Sequence, residues 1–97
     1  MIQNFKDPGT ADLFDGKQSK LARKICPANL VRKAQCKLEY LDSVVLLDDL
    51  RVPPGNRLEA LSGNRSGQHS IRINQKYRIC FIWTANGPLN VEIVDYH

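Results

Sequence analysis

Between residues 27 and 43, Leu30, Ala34, Leu38 and Leu41 recur at helical spacing, with Val31 alongside and Arg32, Lys33, Lys37 and Glu39 on the other faces. That pattern predicts the main amphipathic helix, packed by one side onto a sheet. Pro27 suits its first position, because the N–H that proline lacks has no intrahelical partner there. Upstream, Met1-Ile2-Gln3-Asn4-Phe5 alternates apolar and polar residues and predicts a short first strand, broken by Asp7-Pro8-Gly9-Thr10. Thr10 is the expected N-cap of a short helix carrying Leu13 and Phe14 and stopping near Gly16. Residues 17–24 read as loop or helical turn. Residues 44–50 add at most another turn before Pro53-Pro54-Gly55, which cannot continue a helix.

Beyond the prolines the rhythm changes to period two. Residues 57–61 form a strand candidate closed by Ser62-Gly63-Asn64-Arg65-Ser66-Gly67. Residues 68–73 and 77–83 flank a tight turn at Asn74-Gln75-Lys76. Residues 84–88 make the next turn and 91–94 the last strand. The expected order is β-α-α-β-β-β-β: an α+β fold in which two N-terminal helices pack on a mostly antiparallel twisted sheet of about five strands. No repeat, low-complexity segment or linker interrupts it, so residues 1–97 read as a single domain.

Alternation also assigns faces. Ile71 and Ile73 go to one side of their strand, and Ser70, Arg72 and Asn74 to the other. In the next strand Tyr77, Ile79, Phe81 and Trp83 are the apolar set, so Arg78 points away from the core. An odd number of loop residues places Arg72 and Arg78 on one face as near neighbours, where two guanidiniums repel unless an anion lies between them. An even number leaves both exposed and apart. His69 shares the face of Ile71 and belongs with the packing.

With 42% hydrophobic and 25% charged residues the chain is globular, and at 97 residues its core is thin. The formal charge of +4 is unevenly spread. Residues 17–37 hold Lys17, Lys20, Arg23, Lys24, Arg32, Lys33 and Lys37 and no acid, and residues 51–78 hold Glu59 alone. Local positive fields of this kind attract phosphates or an acidic binding protein. Cys26, Cys36 and Cys80 are odd in number and far apart, without Cys-x-x-Cys, and His69 and His97 complete no zinc spacing. Cys36 and Cys80 read as small buried hydrophobes. No apolar run is long enough to span a bilayer and residues 1–5 do not resemble a signal peptide, so the expected setting is the reducing cytoplasm, with no membrane contact and no cofactor.

Cutting RNA without a metal requires removal of the ribose 2′-OH proton, alignment of the phosphate, neutralisation of its growing charge and protonation of the departing 5′-oxygen. Arginine suits the middle two roles, since its planar fork matches phosphate oxygens and stays charged. The sequence closes on Asp95-Tyr96-His97 directly after the last expected strand. His97 suits proton transfer, because an unperturbed imidazole titrates at about pH 6.5. Tyr96 can stack a base or donate a hydrogen bond. The plain alternative for this dipeptide is a loosely held chain end. Arg72, Arg78, Tyr96 and His97 are the candidate catalytic group, beside that plain alternative. Arg57, Arg65, Asn74, Lys76 and Glu59 are the expected substrate contacts, with Glu59 either an accessory base or a plain surface carboxylate.

Pro53-Pro54-Gly55-Asn56-Arg57-Leu58-Glu59-Ala60-Leu61, the run "SGNRSGQHSIRINQKYRICFIW" from Ser62 to Trp83, and Val91-Glu92-Ile93-Val94-Asp95-Tyr96-His97 together resemble the HigB family, toxins of the RelE/ParE superfamily. The resemblance covers most of the chain and is most specific in the second half. It implies a RelE-like fold and an endoribonuclease that cuts messenger RNA being translated in the ribosomal A site. It also implies neutralisation by a HigA-like helix-turn-helix antitoxin, through which the toxin associates indirectly with operator DNA. Carried over by position, the arginine before Ile79-Cys80-Phe81 is Arg78 and the terminal pair is Tyr96 and His97. Arg72 stands near a second catalytic arginine, with Asn74 competing for that place. Some relatives carry histidine where this chain has Glu59. A ParE-like, non-catalytic inhibitor of DNA gyrase is the alternative within the superfamily, and a stand-alone RNA-binding module is a third.

Overall fold

The computed structural model describes residues 1–95. Three helices, α1 (Pro8–Phe14), α2 (Lys20–Ile25) and α3 (Val31–Ser43), precede a sheet of β1 (Glu59–Ala60), β2 (His69–Arg72), β3 (Tyr77–Thr84) and β4 (Gly87–Asp95). The four strands are antiparallel neighbours in chain order, a simple meander. All three helices touch β4, so one layer of helix covers one face of the sheet.

The helical spacing holds: Ala34, Leu38 and Leu41 of α3 are fully buried against Ile71, Ile73, Ile79, Phe81, Val91 and Ile93. Each large side chain so buried contributes about 1.5–3 kcal/mol of transfer free energy. The helix itself begins later than its pattern suggests, because residues Ala28–Leu30 form a 3-10 turn ahead of Val31.

Four expectations change. Residues 17–24 yield a real helix, α2, capped by the Ser19 hydroxyl accepting from the Ala22 N–H at 3.0 Å. The N-cap of α1 is Asp7, not Thr10. Its carboxylate accepts from the Thr10 N–H (2.7 Å) and hydroxyl (2.9 Å). Residues 1–5 run alongside β4 without forming a full strand: a parallel bridge joins Phe5 to Val91, flanked by Gln3 N–H to Pro88 O and Lys6 N–H to Val91 O. Of residues 57–61 only Glu59 and Ala60 pair as strand, because Arg57 takes a left-handed conformation (φ 46°) and the chain turns there. The sheet of regular strands therefore counts four rather than five, with the N-terminal segment closing the outer edge of β4.

That edge is closed tightly. The Ile93 N–H, lying beyond the reach of the N-terminal segment, donates to the buried Thr10 hydroxyl at 3.2 Å. At its other end a Cβ on Gly87 would stand 2.1 Å from the Met1 carbonyl oxygen. Edge strands with unpaired backbone invite foreign pairing, and this one is covered. Cys80 is buried as expected, whereas Cys36 is exposed on α3.

Candidate functional site

The face of the sheet turned away from the helices carries the candidate arginines Arg72 and Arg78. Its hairpin is set by Asn74, whose side-chain oxygen accepts from the N–H groups of Lys76 (2.9 Å) and Tyr77 (2.7 Å). Ile73 N–H then donates to Tyr77 O at 2.9 Å. This closure brings Arg72 directly opposite Arg78, so the parity left open by the sequence resolves in favour of one shared face. Glu59 joins them from β1, opposite Ser70, which is itself opposite Cys80.

Arg78 is only 8% exposed. Its Nε donates to the Ser70 hydroxyl at 2.8 Å, and its Nη2 to the Arg57 carbonyl at 2.6 Å. Its Nη1 lies 3.9 Å from a carboxylate oxygen of Glu59, whose side chain is half exposed. A guanidinium gripped on two sides keeps its plane and direction without a substrate. Arg72 is half-buried, its Nε donating to the Asn74 carbonyl at 3.0 Å.

The remaining expected contacts are spread around this pair. Arg57 contributes its carbonyl to Arg78 and leaves its side chain exposed. Arg65 donates to Glu92 at 3.0 Å and to Gln68 at 3.1 Å, and Lys6 approaches the same Glu92 oxygen at 3.4 Å. Lys76 reaches Asp95 at 3.6 Å and sits 5.7 Å above the Tyr77 ring. The Asn74 oxygen is committed to the turn. Tyr96 and His97 lie outside the described residues. Ser70 is a site residue that sequence reasoning misses. Its alternation with Arg72 is the available signal, but a serine facing solvent and a serine facing a guanidinium look alike in a strand pattern.

His69 stands on the helix-facing side, opposite Phe81, with the two rings stacked at 6.3 Å. It belongs to the packing, as expected. Cys80 shares the arginine face, where burial above all pushes its thiol pKa up; the Arg65 guanidinium pulls in the other direction. A cleft of about 190 Å³ lies among the helices instead, lined by Leu13, Ala22, Val31 and Gln35 with Lys17 and Arg23 at its rim. None of the sheet-face residues lines it. Among the described residues, the arrangement around Arg72 and Arg78 is an open, cationic platform with the Glu59 carboxylate beside Arg78, suited to an extended anionic strand rather than an enclosed small molecule.

Comparison with known proteins bears on the family and the fold. The family described as RelE-like toxin of type II toxin–antitoxin system HigB matches residues 3–97. Toxin HigB-1 of Vibrio cholerae serotype O1 is 37% identical over 90 residues, covering 93% of this chain and 92% of that protein. An uncharacterized protein of Haemophilus influenzae is 34% identical over 71 residues, 73% of this chain and 69% of its own length. Among solved structures, the YoeB-YefM complex from Staphylococcus aureus superposes with a TM-score of 0.59 over 100% of this chain and 95% of the matched one. At 18% identity that likeness concerns the fold alone. With the family matched across nearly the whole sequence and a HigB relative matched over more than nine-tenths of both chains, the chain belongs to the HigB-like toxins of type II toxin–antitoxin systems.

Proposed function

We propose that this toxin is an endoribonuclease that cleaves messenger RNA in the ribosomal A site by attack of the ribose 2′-OH, without a metal ion. The observation that carries this reading is the direct opposition of Arg72 and Arg78 on one sheet face, with Glu59 3.9 Å from Arg78. Two guanidiniums on one sheet face favour an anion between them, and a phosphodiester supplies such an anion. Arg78 and Arg72 hold the non-bridging oxygens. The 2′-oxygen attacks phosphorus and its proton passes to a carboxylate or imidazole, Glu59 being the described base nearest the guanidinium. The P–O5′ bond breaks, His97 returns a proton to the 5′-oxygen, and a 2′,3′-cyclic phosphate remains. Tyr96 stacks a base of the message.

Cytoplasmic action and neutralisation by a HigA-like helix-turn-helix antitoxin complete the proposal; the structural neighbour was itself solved as a complex. The decisive experiment adds purified toxin to ribosomes translating a defined message and maps the new RNA ends. Cleavage within codons, with 2′,3′-cyclic phosphate and 5′-OH termini that disappear with Arg78→Ala and His97→Ala, is the expected result. Intact message together with induced DNA-damage signalling in cells would transfer the toxin to the gyrase-inhibiting class.

A further inference from the structure

Behind Arg78, the chain crosses from the helical layer to β1 through residues 52–57, and one side chain governs that crossing. Asn56 is wholly buried, and both ends of its amide are hydrogen-bonded. Nδ2 donates to the carbonyls of Leu50 (3.2 Å) and Val52 (3.3 Å), while Oδ1 accepts from the ammonium of Lys37 on α3. Tyr40, one turn further along α3, places its hydroxyl against the carbonyls of Asp49 (2.9 Å) and Val52 (2.8 Å). Lys37 sits there against its own preference: burial first, then Lys33, lowers its pKa. A half-buried ammonium held on an amide oxygen is a costly way to anchor a loop, compared with an apolar side chain filling the same space.

The next residue gives the arrangement a purpose. Arg57 is left-handed (φ 46°, ψ 58°), a conformation unfavourable for a residue with a Cβ. Its carbonyl is thereby turned onto the Arg78 Nη2 at 2.6 Å. We propose that Asn56, clamped by Lys37, is a positioning residue for Arg78: it fixes the Arg57 carbonyl that grips one edge of the guanidinium while Ser70 grips another. This rests on the nuclease reading for its consequence in RNA cleavage, though not for the geometry itself.

Asn56→Ala removes the anchor without touching the arginine face. The expected result is an about 10- to 100-fold lower maximal single-turnover cleavage rate, with little change in affinity for programmed ribosomes. Combined with Arg78→Lys, whose residual cleavage stays measurable and whose ammonium lacks the Nη2 donor to the Arg57 carbonyl, the second substitution adds nothing further, because it acts only through the Arg78 guanidinium. A loop that merely supports stability would lower activity by the same factor in both backgrounds, and that result overturns the proposal. A second readout needs no RNA: the Arg78 Nε–H resonance of the free toxin, sharp and slowly exchanging in the parent, broadens and exchanges faster in Asn56→Ala. An unchanged resonance also overturns it. If the parent cleaves no RNA the nuclease reading falls, and the resonance still decides the positioning role. Should Asn56→Ala fail to fold, Lys37→Met carries both measurements, with smaller effects in the same direction.

Discussion

Arg78 shows what a single residue contributes here. Buried to 8% exposure, it meets, among the described residues, two neutral acceptors at close range and the Glu59 carboxylate at 3.9 Å. Lysine keeps the charge but cannot reproduce the planar fork that serves Ser70 and Arg57 O together, so Arg78→Lys is expected to lose about 10²–10³ in cleavage rate while ribosome binding persists. Glu59→Gln separates base from spectator: a drop of about 10²–10⁴ in the cleavage rate marks a proton acceptor, whereas an unchanged rate leaves that task to His97. The arginine pair was legible in the sequence to the level of its two faces, but its parity depended on the loop, which Asn74 sets by its side-chain turn. Arg65 was legible only as a cation; its pairing with Glu92, 27 residues away, is a tertiary fact. Cys80 adds a pH signature. Its folded pKa lies above its ordinary value of 9.0, so near pH 9 the unfolded chain releases the thiol proton before the folded one does. The contribution is complete below that pH and is lost as pH rises toward the folded value. Urea midpoints should therefore decline across that alkaline range, and less steeply in Cys80→Ala.

At the level of elements, the order of information runs from periodic to local to tertiary. The core stripe of α3 was readable because its packing partners sit at the repeat the helix imposes. Helix α2 was not, since among its six residues only Ala22 is fully buried and so little apolar stripe exists to detect. Pro53 and Pro54 do not mark the end of helix: α3 already stops at Ser43, and Pro54–Asn56 itself forms a 3-10 turn. The left-handed Arg57 that shortens β1 depends on the Asn56 anchor, and no local pattern announces it. Residues 1–5 alternated as a strand does but pair through a single bridge, because α1 begins at Pro8 and takes over the edge of β4 through Thr10. That handover makes Asp7 the residue to test. Its carboxylate caps α1 and fixes the Thr10 hydroxyl, so Asp7→Ala should cost about 1–2 kcal/mol in a denaturant titration. Backbone hydrogen exchange should accelerate at Ile93 first, with the β2–β3 hairpin unaffected.

Over the whole molecule, the two basic regions differ in how they are neutralised. In the sheet half of the molecule Arg65, Lys76 and Arg78 each have a carboxylate within 4 Å, at Glu92, Asp95 and Glu59. In the helical layer, across the sheet from Arg72 and Arg78, the side chains of Lys17, Lys20, Arg23, Lys24, Arg32 and Lys33 form no ion pair among the described residues. Long-range attraction to an RNA surface tracks unneutralised charge, and chemistry tracks oriented guanidiniums, so on the nuclease reading the two functions fall on different sides of the protein. For single-stranded RNA, every phosphate that a protein neutralises adds about 0.7 to the salt slope of binding. Replacing Lys20, Arg23 and Lys24 of α2 with glutamine is therefore expected to flatten the dependence of ribosome affinity on salt by about 2 in the log–log slope. The maximal cleavage rate at saturating ribosomes should stay at the parental level. Arg72→Ala should do the opposite, slowing cleavage while the slope falls by at most about one unit. Titration of affinity from low to high salt in both variants reads the two quantities apart. A triple variant that slows saturated cleavage while leaving the slope intact would place α2 against the reacting strand, and the division of labour between the two faces would not stand.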